Sequence, residues 1–225
     1  FLLNPIWEKI NMADKKGVLF DFDGTLADTM ENNFLAWKYA FQTKGIEILR
    51  EDYFPLEGLT LKGVVDNISN KYNLENINSE KIISIKEEKF KKNGGVSLYP
   101  GVLDFIDTLK SNNIKIAIVT AAHKNRLYST TDNVFLAKFD AIVTGDLNLP
   151  GKPHPEPYLR AMELLGLSSS EVIVVENAPL GIQSAKCAGA YCVAITSTLS
   201  IDYLKEADKI VKSFSELKKL ACFGL

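Results

Sequence analysis

Gly17-Val-Leu-Phe-Asp21-Phe-Asp23-Gly-Thr25 is the stretch that decides the fold. A short apolar run ends in a carboxylate, a second carboxylate follows two positions on, and a glycine follows that. Such a run reads as a strand buried on both faces, as parallel strands are, with an acidic loop at its carboxyl end. Two acids crowded at the end of a buried strand are costly unless a cation or a substrate shares the charge. Taken alone, Asp-x-Asp-Gly is equally an ordinary turn or helix cap; the strand in front of it argues for the costlier reading.

Working outward, similar apolar runs recur at Ile114 to Val119, Ala141 to Val143, Val172 to Val175 and Tyr191 to Ile195. Helical patterns separate them at Val102 to Lys110, Lys124 to Asn133, Glu156 to Leu165 and Leu180 to Ala188. Strands alternating with ten-residue helices predict an α/β fold, a doubly wound and mostly parallel sheet with helices on both faces. Between Thr29 and Asn93 no convincing strand occurs, and apolar residues recur at helical intervals, as in Phe34, Trp37 and Phe41 or Val64, Val65 and Ile68. This predicts a core of residues 1–28 and 96–225 with a helical cap, residues 29–95, spliced in after the first strand. The chain then crosses between the two units twice, near Ala27 to Asn32 and near Gly94 to Pro100, a plausible hinge. Trp37 and Phe41, at i and i+4, are expected in the cap core, and Lys81, Lys86, Lys89, Lys91 and Lys92 on a solvated helix face.

Composition narrows the function. The chain has 225 residues, 46% hydrophobic and 24% charged, the profile of a globular protein. Lys plus Arg is 26 against 28 Asp plus Glu, a net charge of -2, which excludes the basic footprint of a nucleic-acid binder. No run is long enough to span a membrane, and Phe1 to Ile6 lacks the features of a targeting segment. Cys187, Cys192 and Cys222 do not form a disulfide framework, so a cytoplasmic setting is expected. No nucleic acid and no membrane are expected as partners, and a monomer or weak dimer is expected.

In open α/β sheets ligands gather beyond the carboxyl ends of the strands, and three more segments deliver polar groups there. Ile116-Ala-Ile-Val119 runs into Thr120, whose hydroxyl, with the backbone N–H groups from Ala121 on, suits a phosphate oxygen. Gly151-Lys-Pro-His-Pro-Glu-Pro157 holds Lys152 in a proline-stiffened loop, and Val172-Ile-Val-Val175 ends in Glu176-Asn177. Each is bland alone: a strand end, a surface lysine, a helix cap.

Together, in order and approximate spacing, the four segments resemble the four motifs of the haloacid dehalogenase superfamily. The insert resembles the small helical cap of the subgroup that contains β-phosphoglucomutase and phosphoglycolate phosphatase. The resemblance implies Asp21 as nucleophile, Asp23 as general acid/base, Thr120 and Lys152 as phosphate-binding catalytic groups, and Mg²⁺ held by Asp21, Asp23, Glu176 and Asn177. The residues supply the physical reason: a phosphoryl group in transfer carries negative charge that a carboxylate can approach only beside cations, and Mg²⁺ takes oxygen ligands. The implied reaction is hydrolysis of a small phosphomonoester through an aspartyl-phosphate. Alternatives are a β-phosphoglucomutase-like phosphotransferase, an inorganic pyrophosphatase and a catalytically weak phosphate-binding module.

The chain departs from the subgroup at two places. Asn177 stands where most such relatives have Asp, removing a formal charge from the metal site. Asn33 replaces a hinge histidine and Leu61 a cap arginine of the mutases; Asn33 and Lys62 are expected to take up substrate contacts instead. The missing histidine and arginine favour hydrolysis over transfer.

Overall fold

In the computed structural model, which describes residues 15–147 and 149–220, six parallel strands form one sheet: β1 Gly17–Phe20, β2 Lys115–Val119, β3 Ala141–Val143, β4 Val172–Glu176, β5 Tyr191–Ile195 and β6 Lys209–Val211. Phe1 to Ile6 and Cys222 lie outside the described residues. The strand order is β3-β2-β1-β4-β5-β6, so β1 sits centrally and the chain reverses its direction of growth between β1 and β4. Such a switch point leaves a crevice at the strand ends. The register fixes what meets there: Phe20 pairs with Ile118 and with Val175, so Asp21 comes level with Val119 and Glu176, and Thr120 follows one residue on.

Side chains alternate across the sheet. Val18, Phe20, Ile116, Ile118, Ile173 and Val175 build the core on one face, Leu19, Ala117, Val119 and Val174 that on the other. Around the sheet and in the insert, the described residues form ten α-helices: α1 Met30–Gln42, α2 Arg50–Tyr53, α3 Leu61–Lys71, α4 Ser79–Lys92, α5 Val102–Ser111, α6 Lys124–Thr130, α7 Asn133–Leu136, α8 Glu156–Leu165, α9 Pro179–Cys187 and α10 Phe214–Lys219. Helices α5 and α10 cover the first face and α8 and α9 the second. Gly166 ends α8 in the left-handed conformation, and Pro179 opens α9 at its first position, as their types favour.

Helices α1–α4 bury a third core of their own, containing Trp37, Phe41, Tyr53, Val65, Ile68 and Ile82. The two crossings of the chain are hydrogen-bonded to each other: Asp28 N–H donates to the Ser97 carbonyl (2.8 Å), Tyr99 N–H to that of Leu26 (3.0 Å), and Ala27 bridges Leu98.

Three expectations need correction. The helix predicted from Lys124 to Asn133 breaks after Thr130, because Thr131 is extended and the Asp132 side chain caps a new helix by accepting from Val134 N–H (2.8 Å). Strand β6 and helix α10 were absent from the sequence reading; β6 is only three residues long and lies at the sheet edge. The lysine run of α4 is not uniformly solvated. Lys86 is 1% exposed, since Ile82, Lys86 and Phe90 recur at four-residue steps along the face packed on α1.

Candidate active site

The crevice floor is organised by one ammonium group. Lys152 Nζ donates to Asp21 Oδ1 (2.7 Å), to Glu176 Oε1 (2.7 Å) and to the Val119 carbonyl (3.2 Å), which uses all three of its protons. The lysine is 3% exposed and lies over the ring of Tyr158, whose hydroxyl donates to Glu176 Oε1 (2.6 Å). Glu176 Oε2 accepts from Asn177 N–H (3.0 Å). Burial disfavours the charged lysine, but the charges of Asp21 and Glu176 outweigh it and hold Lys152 protonated, well above its ordinary range. Asp21 has the opposite balance: burial, with Glu176 and Asp23 adding repulsion, raises its carboxyl above the usual range despite Lys152. Its second oxygen, Oδ2, is buried and has no hydrogen-bond partner among the described residues.

Asp23 looks toward the cap and is saturated. Its Oδ1 accepts from Thr29 Oγ1 (2.7 Å), Arg126 Nη1 (3.0 Å) and Asn33 Nδ2 (3.2 Å), and its Oδ2 from Arg126 Nη2 and, at 3.4 Å, the Thr120 hydroxyl. Burial works against ionisation here too, but the Arg126 guanidinium outweighs it and brings the pKa to about 2. Arg126 is itself 2% exposed, stacks on Phe90 of α4 at 4.6 Å, and has Nε 4.0 Å from Glu87. A core carboxylate is thereby tied through one arginine to a cap helix. Beside it, Lys86 pairs with Glu87 (2.8 Å) over the rings of Trp37 and Phe90.

The structure brings Asp21, Asp23, Thr120, Lys152, Glu176 and Asn177 to the same end of the sheet. Ala121 lines the cleft and Asn33 reaches it through Asp23. It does not bring Lys62 there: Lys62 pairs with Asp66 one turn along α3 (2.6 Å) and its side chain is 70% exposed. Sequence reasoning also missed Arg126, Tyr158 and Glu57. The last follows the 3₁₀ turn Phe54–Leu56, accepts a hydrogen bond from the Tyr53 hydroxyl, and lines the cleft opposite Asp23. Only Lys86 left a signal, its place in the Ile82-Phe90 stripe. A tight cap-to-core seat accompanies it: a side chain at Gly151 would run into Thr60, and Gly58 (φ +95°) lies on the Lys152 side chain.

The sequence profile of the haloacid dehalogenase-like hydrolases matches residues 18–195. The chain belongs to that family. Among relatives, validoxylamine A 7'-phosphate phosphatase of Streptomyces hygroscopicus subsp. limoneus is 27% identical over 90% of this chain and 96% of its own length. A crystal structure of β-phosphoglucomutase from Clostridium difficile superposes with a TM-score of 0.80 at 25% identity, covering 93% of this chain and 97% of that one. The chloroplastic protein Suppressor of Quenching 1 of Arabidopsis thaliana is 28% identical over 89% of this chain, which spans only 19% of that protein.

For a haloacid dehalogenase-like hydrolase, the residues present fit a hard divalent cation. Asp21 Oδ2 is a buried carboxyl oxygen without a hydrogen-bond partner among the described residues, and the neighbouring Asp23 carbonyl, Glu176 carboxylate and Asn177 amide are oxygen donors of the kind Mg²⁺ takes. No three His, Cys, Asp or Glu side chains converge among the described residues, so a cation here would rest on two carboxylates and neutral oxygens. Asn177 is fully buried, accepting from Thr25 Oγ1 (3.0 Å) and donating to Thr198 Oγ1 (2.9 Å), while Gly24 (φ +84°) lies so close to its amide that no side chain fits between.

Proposed function

We propose that this enzyme hydrolyses a small phosphomonoester, a sugar phosphate or similar metabolite, through a phosphoryl-aspartate on Asp21. The observation that carries the reading is the pairing of two carboxylates two residues apart with opposite surroundings: Asp21 has one oxygen on Lys152 and one without a partner, whereas Asp23 is held ready by four side chains.

In the first half-reaction an Asp21 carboxylate oxygen attacks phosphorus and the ester P–O bond breaks; the leaving oxygen takes its proton from Asp23 Oδ2, which takes that proton up from solvent as substrate binds, while Oδ1 stays on Arg126. In the second, a water gives a proton to Asp23 and attacks the phosphoryl-aspartate, releasing phosphate and restoring Asp21. Lys152 and the Thr120 hydroxyl, with the Ala121 N–H, hold the phosphoryl oxygens. Asp21, the Asp23 carbonyl, Glu176 and Asn177 would hold Mg²⁺, which would supply charge neutralisation for the transfer. The cap, by covering the crevice, excludes bulk water from the transfer.

Phosphate release from sugar phosphates, phosphoglycolate and pyrophosphate, with Mg²⁺, tests the reading. Asp21→Asn keeps the side-chain volume and removes the nucleophile, so turnover should fall by roughly a thousandfold or more with the fold intact by circular dichroism. Full activity in that variant would overturn the assignment. Isomer interconversion without phosphate release would replace hydrolysis by phosphotransfer, and a selective response to pyrophosphate would replace the organic ester.

A further inference from the structure

Resting on that reading, we infer that Glu57 makes the enzyme selective for a hydroxyl-rich leaving group that carries no second negative charge. The cap side of the cleft has two cations, Arg126 and Lys86, and both are already matched. Arg126 forks onto Asp23, and Lys86 pairs with Glu87 at 2.8 Å. Each is almost completely buried, so taking either from its carboxylate would leave a buried charge unpaired. A second phosphate or a carboxylate on the leaving group therefore meets no spare cation among the described residues lining the cleft.

The charge left over there is Glu57. The Tyr53 hydroxyl donates to one of its oxygens; no protein hydrogen bond reaches the other among the described residues. Leu56, Leu59, Leu61 and Val64 supply the apolar wall around it. A carboxyl in that setting accepts hydrogen bonds from sugar hydroxyls and repels an anion, which makes discrimination a matter of repulsion as well as attraction. Burial, followed by the Asp23 charge, raises its pKa to about 7, in keeping with the absence of a cation of its own. Leaving the acid unpaired in this way keeps the pocket receptive to donors.

Glucose 6-phosphate and glucose 1,6-bisphosphate differ by one phosphate and test the inference through their kcat/KM ratio at pH 8, where Glu57 is mostly ionised, read with the natural chain, Glu57→Gln and Glu57→Lys. The natural enzyme should favour the monophosphate by about tenfold or more, near 1.4 kcal/mol. Glu57→Gln, which changes charge at constant volume, should narrow the ratio several-fold, and Glu57→Lys should narrow it further or invert it. A natural preference for the bisphosphate overturns the inference, as does a ratio unchanged in folded Glu57→Gln. No release from either sugar phosphate, while p-nitrophenyl phosphate is still hydrolysed in an Asp21-dependent manner, also overturns it and leaves the hydrolase reading standing. Loss of the p-nitrophenyl phosphate reaction as well overturns the hydrolase reading itself.

Discussion

Asp21 and Asp23 sit two residues apart on one loop, yet their surroundings drive them in opposite directions. On the core side, Asp21 shares a single lysine with Glu176 and keeps a bare oxygen, and its carboxyl is pushed up. On the cap side, Asp23 has both ends of a guanidinium fork and three further donors, and its pKa falls to about 2. Burial is common to both, so burial does not set the difference. The pairing with a cation does: Lys152 is divided between two acids on the floor, whereas Arg126 places both ends of its fork on Asp23. These directions belong to the site without substrate: for the proposed transfer Asp21 must be ionised, which a cation on Oδ2 would favour, and Asp23 must take up a proton.

The strongest way to break the contrast is to remove its cap-side cation. Arg126→Met leaves Asp23 buried without its charge partner and should cost about 3–5 kcal/mol of folding stability at neutral pH, measured by urea denaturation. The sign with pH follows from the depressed carboxyl: its contribution is complete above the ordinary value of 3.8 and is lost as pH falls through about 2, so natural chain and variant should converge in acid. A constant gap across that window would mean that packing on Phe90, not charge, is what Arg126 contributes.

The core side is broken by Gly181→Ala. A side chain there would occupy the space of the Glu176 carboxylate, displacing the acid that shares Lys152. Turnover should drop by about a hundredfold, roughly 2.7 kcal/mol, while KM changes less. Unaltered kinetics would show that Glu176 can shift without disturbing Lys152 and Asp21.

Adding a third acid sharpens the core side instead. Asn177→Asp should tighten Mg²⁺ about tenfold or more, a difference of roughly 1–3 kcal/mol after desolvation of the new carboxylate. Calorimetric titration with Mg²⁺ reads this directly. Equal affinities would assign Asn177 to its tie between Thr25 and Thr198 alone.

The smallest expected effect lies across the cleft. Glu57 holds its proton more tightly folded than unfolded, so it costs stability as pH rises from about 4.5 toward 7. Glu57→Gln removes that cost, and the variant should gain about 1–2 kcal/mol on the natural chain across this window, less than the full shift because the side chain is partly solvated. Parallel thermal melts at pH 5 and pH 8 would check it.

How much of this was legible in sequence depends on the range of the interaction. Strands β1 to β5 could be read because a buried parallel strand is a continuous apolar run, Asp21, Thr120 and Glu176 because each ends or follows such a run, and Lys152 because prolines stiffen its loop. Strand β6 could not, since Lys209-Ile-Val211 is too short for a pattern. Arg126 was invisible for another reason: it stands 103 residues from Asp23, in a seven-residue helix whose sequence offers nothing to separate a buried guanidinium from a surface one. Lys62 was misplaced because the i+4 acid that claims it lies on its own helix. Lys86 shows the intermediate case, a charge concealed inside an apolar stripe that composition alone describes as basic.

The paired crossings between sheet and insert carry a kinetic consequence. Two separate tethers would let the cap slide, tilt and twist independently, but Ala27 and Leu98 are bridged and flanked by the Asp28–Ser97 and Tyr99–Leu26 bonds. They behave mechanically as a ribbon, stiff to stretching and in its own plane, compliant mainly in torsion. A cap carried on such a ribbon moves along nearly one coordinate. On a cap that moves in this way the amides of Asp28 and Tyr99 should exchange with deuterium as slowly as those of the sheet, with faster exchange at the unpacked glycines 94 and 95; fast exchange at Asp28 and Tyr99 would show two independent tethers.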